Sequence, residues 1–304
     1  MTFIAESLEL SLSGGLRRGL DFLELTKPRV TLMVLITTFV GYYLGSDSAP
    51  GYSRLVATLI GTALASGGTL ALNQFLERSS DALMERTRRR PLPDGRIQPA
   101  EALLFGAAAV AAGLVVLAAA VNGVSAWVTA AIVASYLLVY TPLKRKSSLC
   151  GIIGAVPGAL PPVIGWTAAR GEFDVGAWVL FAILFLWQIP HTLAIAWIYR
   201  DDFSRAGIRF LPIVEPDGLS TGRQIIEHCL ALLAVSLLPT LIGMTGALYF
   251  VAALVLGGGL LSYGIRLAMT RTSTAARRLL FASLIYLPVL LVVMALDRMP
   301  SFLW

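Results

Sequence analysis

The chain has 304 residues, 57% of them hydrophobic and only 14% charged, with a formal net charge of +6. So apolar a composition excludes an ordinary soluble domain, and basic residues spread along the chain instead of one basic stripe exclude nucleic acid as a partner. The two cysteines, Cys150 and Cys229, lack CxxC spacing and imply neither a disulfide framework nor a zinc site.

Residues 1–20 hold Glu6 and Glu9 and no continuous apolar core, so the first apolar helix is expected to act as an uncleaved insertion signal. Nine apolar segments follow, at about 30–45, 55–75, 101–121, 125–141, 150–168, 177–198, 229–247, 249–267 and 279–296. Most are long enough to cross a hydrocarbon core as helix, and none alternates like a barrel strand. The expected fold is all-α: one domain over 1–304, a bundle of nine transmembrane helices around a central cavity. Lys and Arg gather in the N-terminal tail and the even-numbered loops, and only Arg54, Arg170 and Arg298 fall on the other side. The positive-inside rule then predicts a cell (inner) membrane protein with a cytoplasmic N-terminus and an outside C-terminus.

Thr26, Lys27, Pro28 and Arg29 open the first helix, proline in its first turn, and read as an interfacial anchor. The second helix leads into the most informative stretch, Asn73 to Pro93. Asn73, Glu77 and Asp81 recur every four residues, which stacks three oxygen-bearing side chains on one helix face, and Arg86 and Arg90 repeat the spacing. Carboxylates able to hold a metal, beside arginines able to hold phosphate, point to a diphosphate site at the membrane edge. The competing reading is a solvated loop whose charges pair with one another.

At the end of helix four, Tyr140 precedes the basic run Lys144, Arg145 and Lys146. Positive-inside anchoring accounts for it; a lysine clamping a phosphate, with Tyr140 facing the cavity, is the alternative. Helix five carries Gly151, Gly154, Pro157, Gly158, Pro161, Pro162 and Gly165, which either line a polar cavity or pack closely on a neighbour. Helix six places Trp187, Gln188, Pro190 and His191 in apolar surroundings, and an ionisable residue inside a span is a functional candidate. A neutral imidazole bonded to a neighbouring helix is the alternative. Eleven residues on, Asp202 is expected on the His191 face with Asp201 to one side, either metal-competent or paired with Arg200 and Arg205. The long loops 76–100 and 199–228 lie four helices apart and suggest two similar halves facing one cavity. His228 reads as solvated, and Gly257 to Gly259 as plain helix packing.

On these residues the chain resembles the UbiA superfamily of intramembrane prenyltransferases, and within it the heme O synthases. The shared features are Asn73, Glu77 and Asp81, then Met84, Arg86, Thr87, Arg90, Pro91 and Leu92. Thr26 to Val30, Tyr140 to Arg145, Pro190 with His191, Tyr199 to Asp202 and Ala206 to Ile208 also match, in order along nearly the whole chain. The chain departs at Gln74, where many members have aspartate, and at Glu77, which replaces the commoner aspartate. Magnesium tolerates both, because it often takes one or two carboxylates and keeps waters.

The resemblance implies transfer of a farnesyl group from farnesyl diphosphate to a vinyl group of heme B, with Mg²⁺ as cofactor and the lipid bilayer as setting. It implies Glu77, Asp81, Asp201 and Asp202 as metal-holding carboxylates and Asn73 as a positioning group. Arg86, Arg90, Lys144 and Arg145 would bind the diphosphate. His191 would contact the heme or orient the capturing water, and Tyr140 and Trp187 would line the cavity. Another acceptor, a quinone precursor or chlorophyll-type ring, is the nearest competing reading, and a membrane transporter a more distant one. A heme-modifying or terminal-oxidase assembly partner stays open.

Overall fold

A computed structural model describes residues 15–46 and 51–299. Among them nine helices are long and apolar enough to cross a membrane: α1 Pro28–Gly45, α2 Tyr52–Asp81, α3 Pro99–Ala120, α4 Gly123–Leu143, α5 Cys150–Arg170, α6 Val175–Ile198, α7 Leu219–Leu241, α8 Ala247–Thr270 and α9 Ser273–Leu296. The chain is a multi-pass membrane protein. Leu104, Val115, Val255, Val292 and Leu296 face outward, as side chains do when the solvent is lipid.

The helices run past the apolar segments because hydropathy marks only the part inside the bilayer, whereas helical hydrogen bonding continues to the next breaker. The clearest case is α7, expected from 229 and found from Leu219. Gly218, in the left-handed conformation at φ 71°, starts it. Arg223, Gln224, Glu227 and His228 therefore ride on the helix and not in a loop, and the His228 Nδ1 lies 2.7 Å from the Gln224 carbonyl one turn back.

Two helices depart from regular winding. In α4 the segment Ser135–Tyr140 is wound as π-helix, which takes an extra residue into the turn. α5 breaks at Leu160, because Pro161 and Pro162 have no N–H to continue the ladder. Its second half lies hard against α1: Thr38 Oγ1 donates to Pro161 O at 3.1 Å, and a Cβ at Gly165 would collide with the Thr38 carbonyl. Its first half leaves room, at Gly154 for the Tyr140 ring and at Gly158 for the Gln188 amide. Close packing and space for polar side chains thus divide the proline-glycine run between them.

The loops after α2, α4 and α6 meet on one face of the bundle. Arg209 N donates to Lys144 O at 2.7 Å, and Glu85 N to Asp202 Oδ1 at 3.3 Å. Met84 packs with Cys150, Phe203, Ala206, Ile208 and Phe210 beneath them. A helix over 15–25 closes the side: Arg96 pairs with Asp21 and Glu24, and Gln74 Nε2 donates to Leu25 O at 2.7 Å. On the opposite face Arg170 Nε and Arg298 Nη1 donate to the last carbonyls of α1, Gly45 O at 3.1 Å and Tyr43 O at 2.9 Å.

Candidate active site

The last turns of α2 carry Asn73, Glu77 and Asp81, and each meets a different partner. Lys144 Nζ donates to Glu77 Oε1 at 2.7 Å, and Arg90 Nη1 to Asp81 Oδ2 at 2.7 Å. Asn73 Nδ2 donates to Thr141 Oγ1 at 3.1 Å, and its Oδ1 accepts from Lys27 Nζ at 3.4 Å. Asp81 is only 1% exposed, so a solvated loop does not describe it. A carboxylate that deep needs a partner, because breaking a buried pair costs several kcal/mol, about 3–5.

Lys144 is 9% exposed, where an anchoring lysine would reach the headgroups. Its ammonium lies 4.4 Å from the Tyr140 ring centre and 6.0 Å from that of Tyr136. Burial works against its charge, but Tyr140 and then Glu77 outweigh it and hold its pKa above the ordinary lysine range. Arg145 bonds the Ser80 hydroxyl on the last turns of α2. Arg86 lies over Tyr199 at 5.1 Å and Phe203 at 5.8 Å, and burial, followed by the charge of Arg90, lowers its pKa.

Lys27 belongs with these residues and not with an interfacial anchor. It takes the left-handed conformation at φ 47° just ahead of Pro28, which turns its ammonium in toward Asn73. Burial, with Arg90 and Lys144 nearby, pushes its pKa down to about 7. The sequence signals were its place in the matched stretch Thr26 to Val30 and a lysine directly before proline, where helical backbone is disfavoured. Thr141, the partner of Asn73, lies in the matched stretch Tyr140 to Arg145, but no local pattern points it at Asn73.

Asp201 and Asp202 separate. α6 stops at Ile198, Tyr199 breaks the winding, and a short helix Arg200–Arg205 starts afresh, so the eleven-residue count from His191 does not carry across. Asp202 turns inward, 8% exposed, and accepts from Glu85 N and Arg205. The Asp201 side chain is 90% exposed, 3.9 Å from Arg200, and stands apart from the cluster. His191 and Trp187 lie deeper in α6 and are tied to α9. The His191 Nδ1 is 2.8 Å from Ser283 Oγ, Trp187 Nε1 donates to Ser283 O at 2.8 Å, and the two rings stack at 4.7 Å.

Among the described residues no three of His, Cys, Asp or Glu come together as a cage for a metal. Glu77 and Asp81 are one turn apart, each already matched by a cation. That donor set suits an ion which arrives with phosphate oxygens and needs one or two carboxylates, as magnesium does. Lys27, Lys144, Arg86 and Arg90 outnumber Glu77, Asp81 and the inward-turned Asp202, so the cluster carries an excess of positive charge that opens to solvent at Arg86. A multiply charged anion would balance it.

Residues 34–285 match the model of the UbiA prenyltransferase family. Two relatives, each named protoheme IX farnesyltransferase, come from Solibacter usitatus (49% identical over 287 residues) and Koribacter versatilis (44% over 292). The alignments take in 91% of this chain in both cases, and 98% and 93% of the relatives. Among solved structures, a digeranylgeranylglyceryl phosphate synthase superposes with a TM-score of 0.77 at 16% identity, over 92% of this chain and 98% of that one. A UbiA homolog from Archaeoglobus fulgidus bound to GPP and Mg²⁺ gives 0.61 at 16% identity, over 90% and 99%. At such identities the two structures share the fold.

Proposed function

The chain belongs to the UbiA prenyltransferase family, and from that premise we propose that it transfers the farnesyl group of farnesyl diphosphate to a vinyl group of heme B. The observation that carries the chemistry is the excess of cations gathered around Glu77, Asp81 and Asp202. The relatives named protoheme IX farnesyltransferase supply the donor and acceptor.

The C–O bond of an allylic diphosphate ionises only when the charge building on the leaving oxygens is met. Lys27, Arg86, Arg90, Lys144 and Arg145 are placed to meet it, and a single fixed donor of this kind is worth about 3–4 kcal/mol. Glu77, Asp81 and Asp202 are the donors that would hold Mg²⁺, which when bound neutralises diphosphate oxygens. The Archaeoglobus fulgidus homolog of the same fold, bound to GPP and Mg²⁺, supports metal-assisted prenyl transfer. Asn73, held from both sides by Lys27 and Thr141, keeps the top of the ladder in register. The interlocked loops above and the apolar helices below exclude water from the allylic cation, which would otherwise be hydrolysed. The vinyl carbon attacks that cation, and water completes the addition.

The site face carries the even-numbered loops and their basic residues, so it lies on the cytoplasmic side of the cell inner membrane. The test is direct. Purified protein in detergent, given heme B, farnesyl diphosphate and Mg²⁺, should yield a farnesylated tetrapyrrole. Folded protein that leaves heme untouched but prenylates a quinone precursor or chlorophyll-type ring would overturn the acceptor.

A further inference from the structure

Gln188 is unused by the diphosphate site, yet its place is unusual. Its Oε1 is buried without a hydrogen-bond partner, inside a membrane span where a lone polar atom is costly. The opposing helix makes room for it, since a Cβ at Gly158 would run into the Gln188 amide. That same stretch of α5 offers free acceptors. The carbonyls of Pro157 and Gly158 would normally bond the nitrogens four residues on, but those belong to Pro161 and Pro162 and carry no hydrogen.

His191 follows Gln188 by three residues and shares its helix face. Ser283 Oγ donates to Leu280 O at 2.7 Å and lies 2.8 Å from His191 Nδ1. A serine has one hydroxyl hydrogen, and with that hydrogen on Leu280 the imidazole is the donor at Nδ1. Its Nε2 is then an unprotonated acceptor. The depth also fits. On α5, Gly154 faces the Tyr140 ring that carries Lys144, and Gly158 faces Gln188 one turn below, about 6 Å further into the membrane. Gln188 and His191 thus lie one step past the diphosphate cluster, where the acceptor carbon would be.

We propose that Gln188 Oε1 and His191 Nε2, beside the freed carbonyls of Pro157 and Gly158, accept the two hydrogens of the single water that ends the reaction; this rests on the farnesyl transfer inferred above. The C1–O bond of farnesyl diphosphate breaks, and its electron pair leaves with the diphosphate. The vinyl π pair then forms the new C–C bond at farnesyl C1, leaving the inner vinyl carbon cationic. A lone pair of the held water forms the C–O bond, and its proton passes to His191 Nε2, to be released to solvent after the product leaves. Gln188 is a positioning residue, and two to four polar partners are what a buried water requires. Without the held water the cation loses a proton from the adjacent CH₂ and ends as an alkene, lighter than the alcohol by one water.

The experiment reads the ratio of alcohol to alkene in the farnesylated tetrapyrrole by mass spectrometry, for wild type, Gln188→Leu and Gln188→Glu. A ratio within the product is independent of how much protein is folded, so a merely structural loss would not move it. Gln188→Leu should lower it by about tenfold, the worth of one positioning hydrogen bond. Gln188→Glu, which keeps an acceptor, should recover most of it. If Leu gives no product, the Glu ratio decides alone: near wild type supports the assignment. Wild-type ratios in Leu, or a Glu variant shifted fully to alkene, overturn it. A wild-type protein that makes no farnesylated tetrapyrrole overturns the parent reading and this one together, whereas alcohol from wild type with unchanged variant ratios overturns this one alone.

Discussion

Lys144 Nζ stands 2.7 Å from Glu77 Oε1, and the same ammonium lies 4.4 Å from the centre of the Tyr140 ring. One cation therefore ties the end of α4 to the carboxylate ladder of α2. Lys144→Met should remove a diphosphate contact and strand Glu77, lowering turnover by about 10²–10³-fold and stability by about 3–5 kcal/mol. Adding Glu77→Gln should restore much of the stability and none of the turnover. Thermal unfolding in detergent beside a turnover assay separates the two, and full turnover in the double variant would remove Lys144 from the site.

Asp81 pairs with Arg90 and is 1% exposed. Asp81→Asn keeps the shape and removes the charge, so turnover should fall by at least about a hundredfold while the helical circular dichroism is unchanged. Chelating divalent ions should abolish wild-type activity, and readded Mg²⁺ should restore it. Activity that survives exhaustive chelation would argue against a metal.

The two neighbouring aspartates should behave differently. Asp202→Asn disturbs a buried carboxylate that holds Glu85 N and should cut turnover by about tenfold or more. Asp201→Asn changes a solvated side chain and should stay within about threefold of wild type. Equal losses in a paired kinetic comparison would place both at the metal.

Lys27 gives the pH prediction. Its pKa in the folded protein is pushed down to about 7, against about 10.4 in an unfolded chain. Between those values the unfolded state binds more protons, so this group's contribution to stability rises with pH from about 7 to 10.4. Below about pH 7 the full penalty of burying the ammonium is present. Lys27→Met should flatten that part of the curve in unfolding experiments on substrate-free protein. An unchanged slope would mean the ammonium is solvated.

The bundle was legible because membrane spans need a fixed length of apolar helix, and the ladder because four-residue spacing on α2 is a property of the helix alone. What stayed hidden depends on breaks in winding. Asp201 and Asp202 could be phased from His191 only if α6 ran straight through Tyr199, and it does not. Lys27 reaches Asn73 only through one left-handed residue ahead of Pro28. Thr141 found its partner across the bundle, which no local pattern encodes. The start of α7 stayed hidden because Arg223, Glu227 and His228 read as loop residues, whereas Gly218 has already begun a helix.

The π-wound segment Ser135–Tyr140 sets the phase of everything after it on α4. Thr141 and Lys144 reach α2 because one residue more than an α-turn needs has been taken up just before them. Winding the same residues as regular α-helix would swing both about 100° around the axis, away from Asn73 and Glu77. The site is in this sense keyed like a lock, with one surplus residue as the notch: it stays in register only while that residue is held in the wide turn.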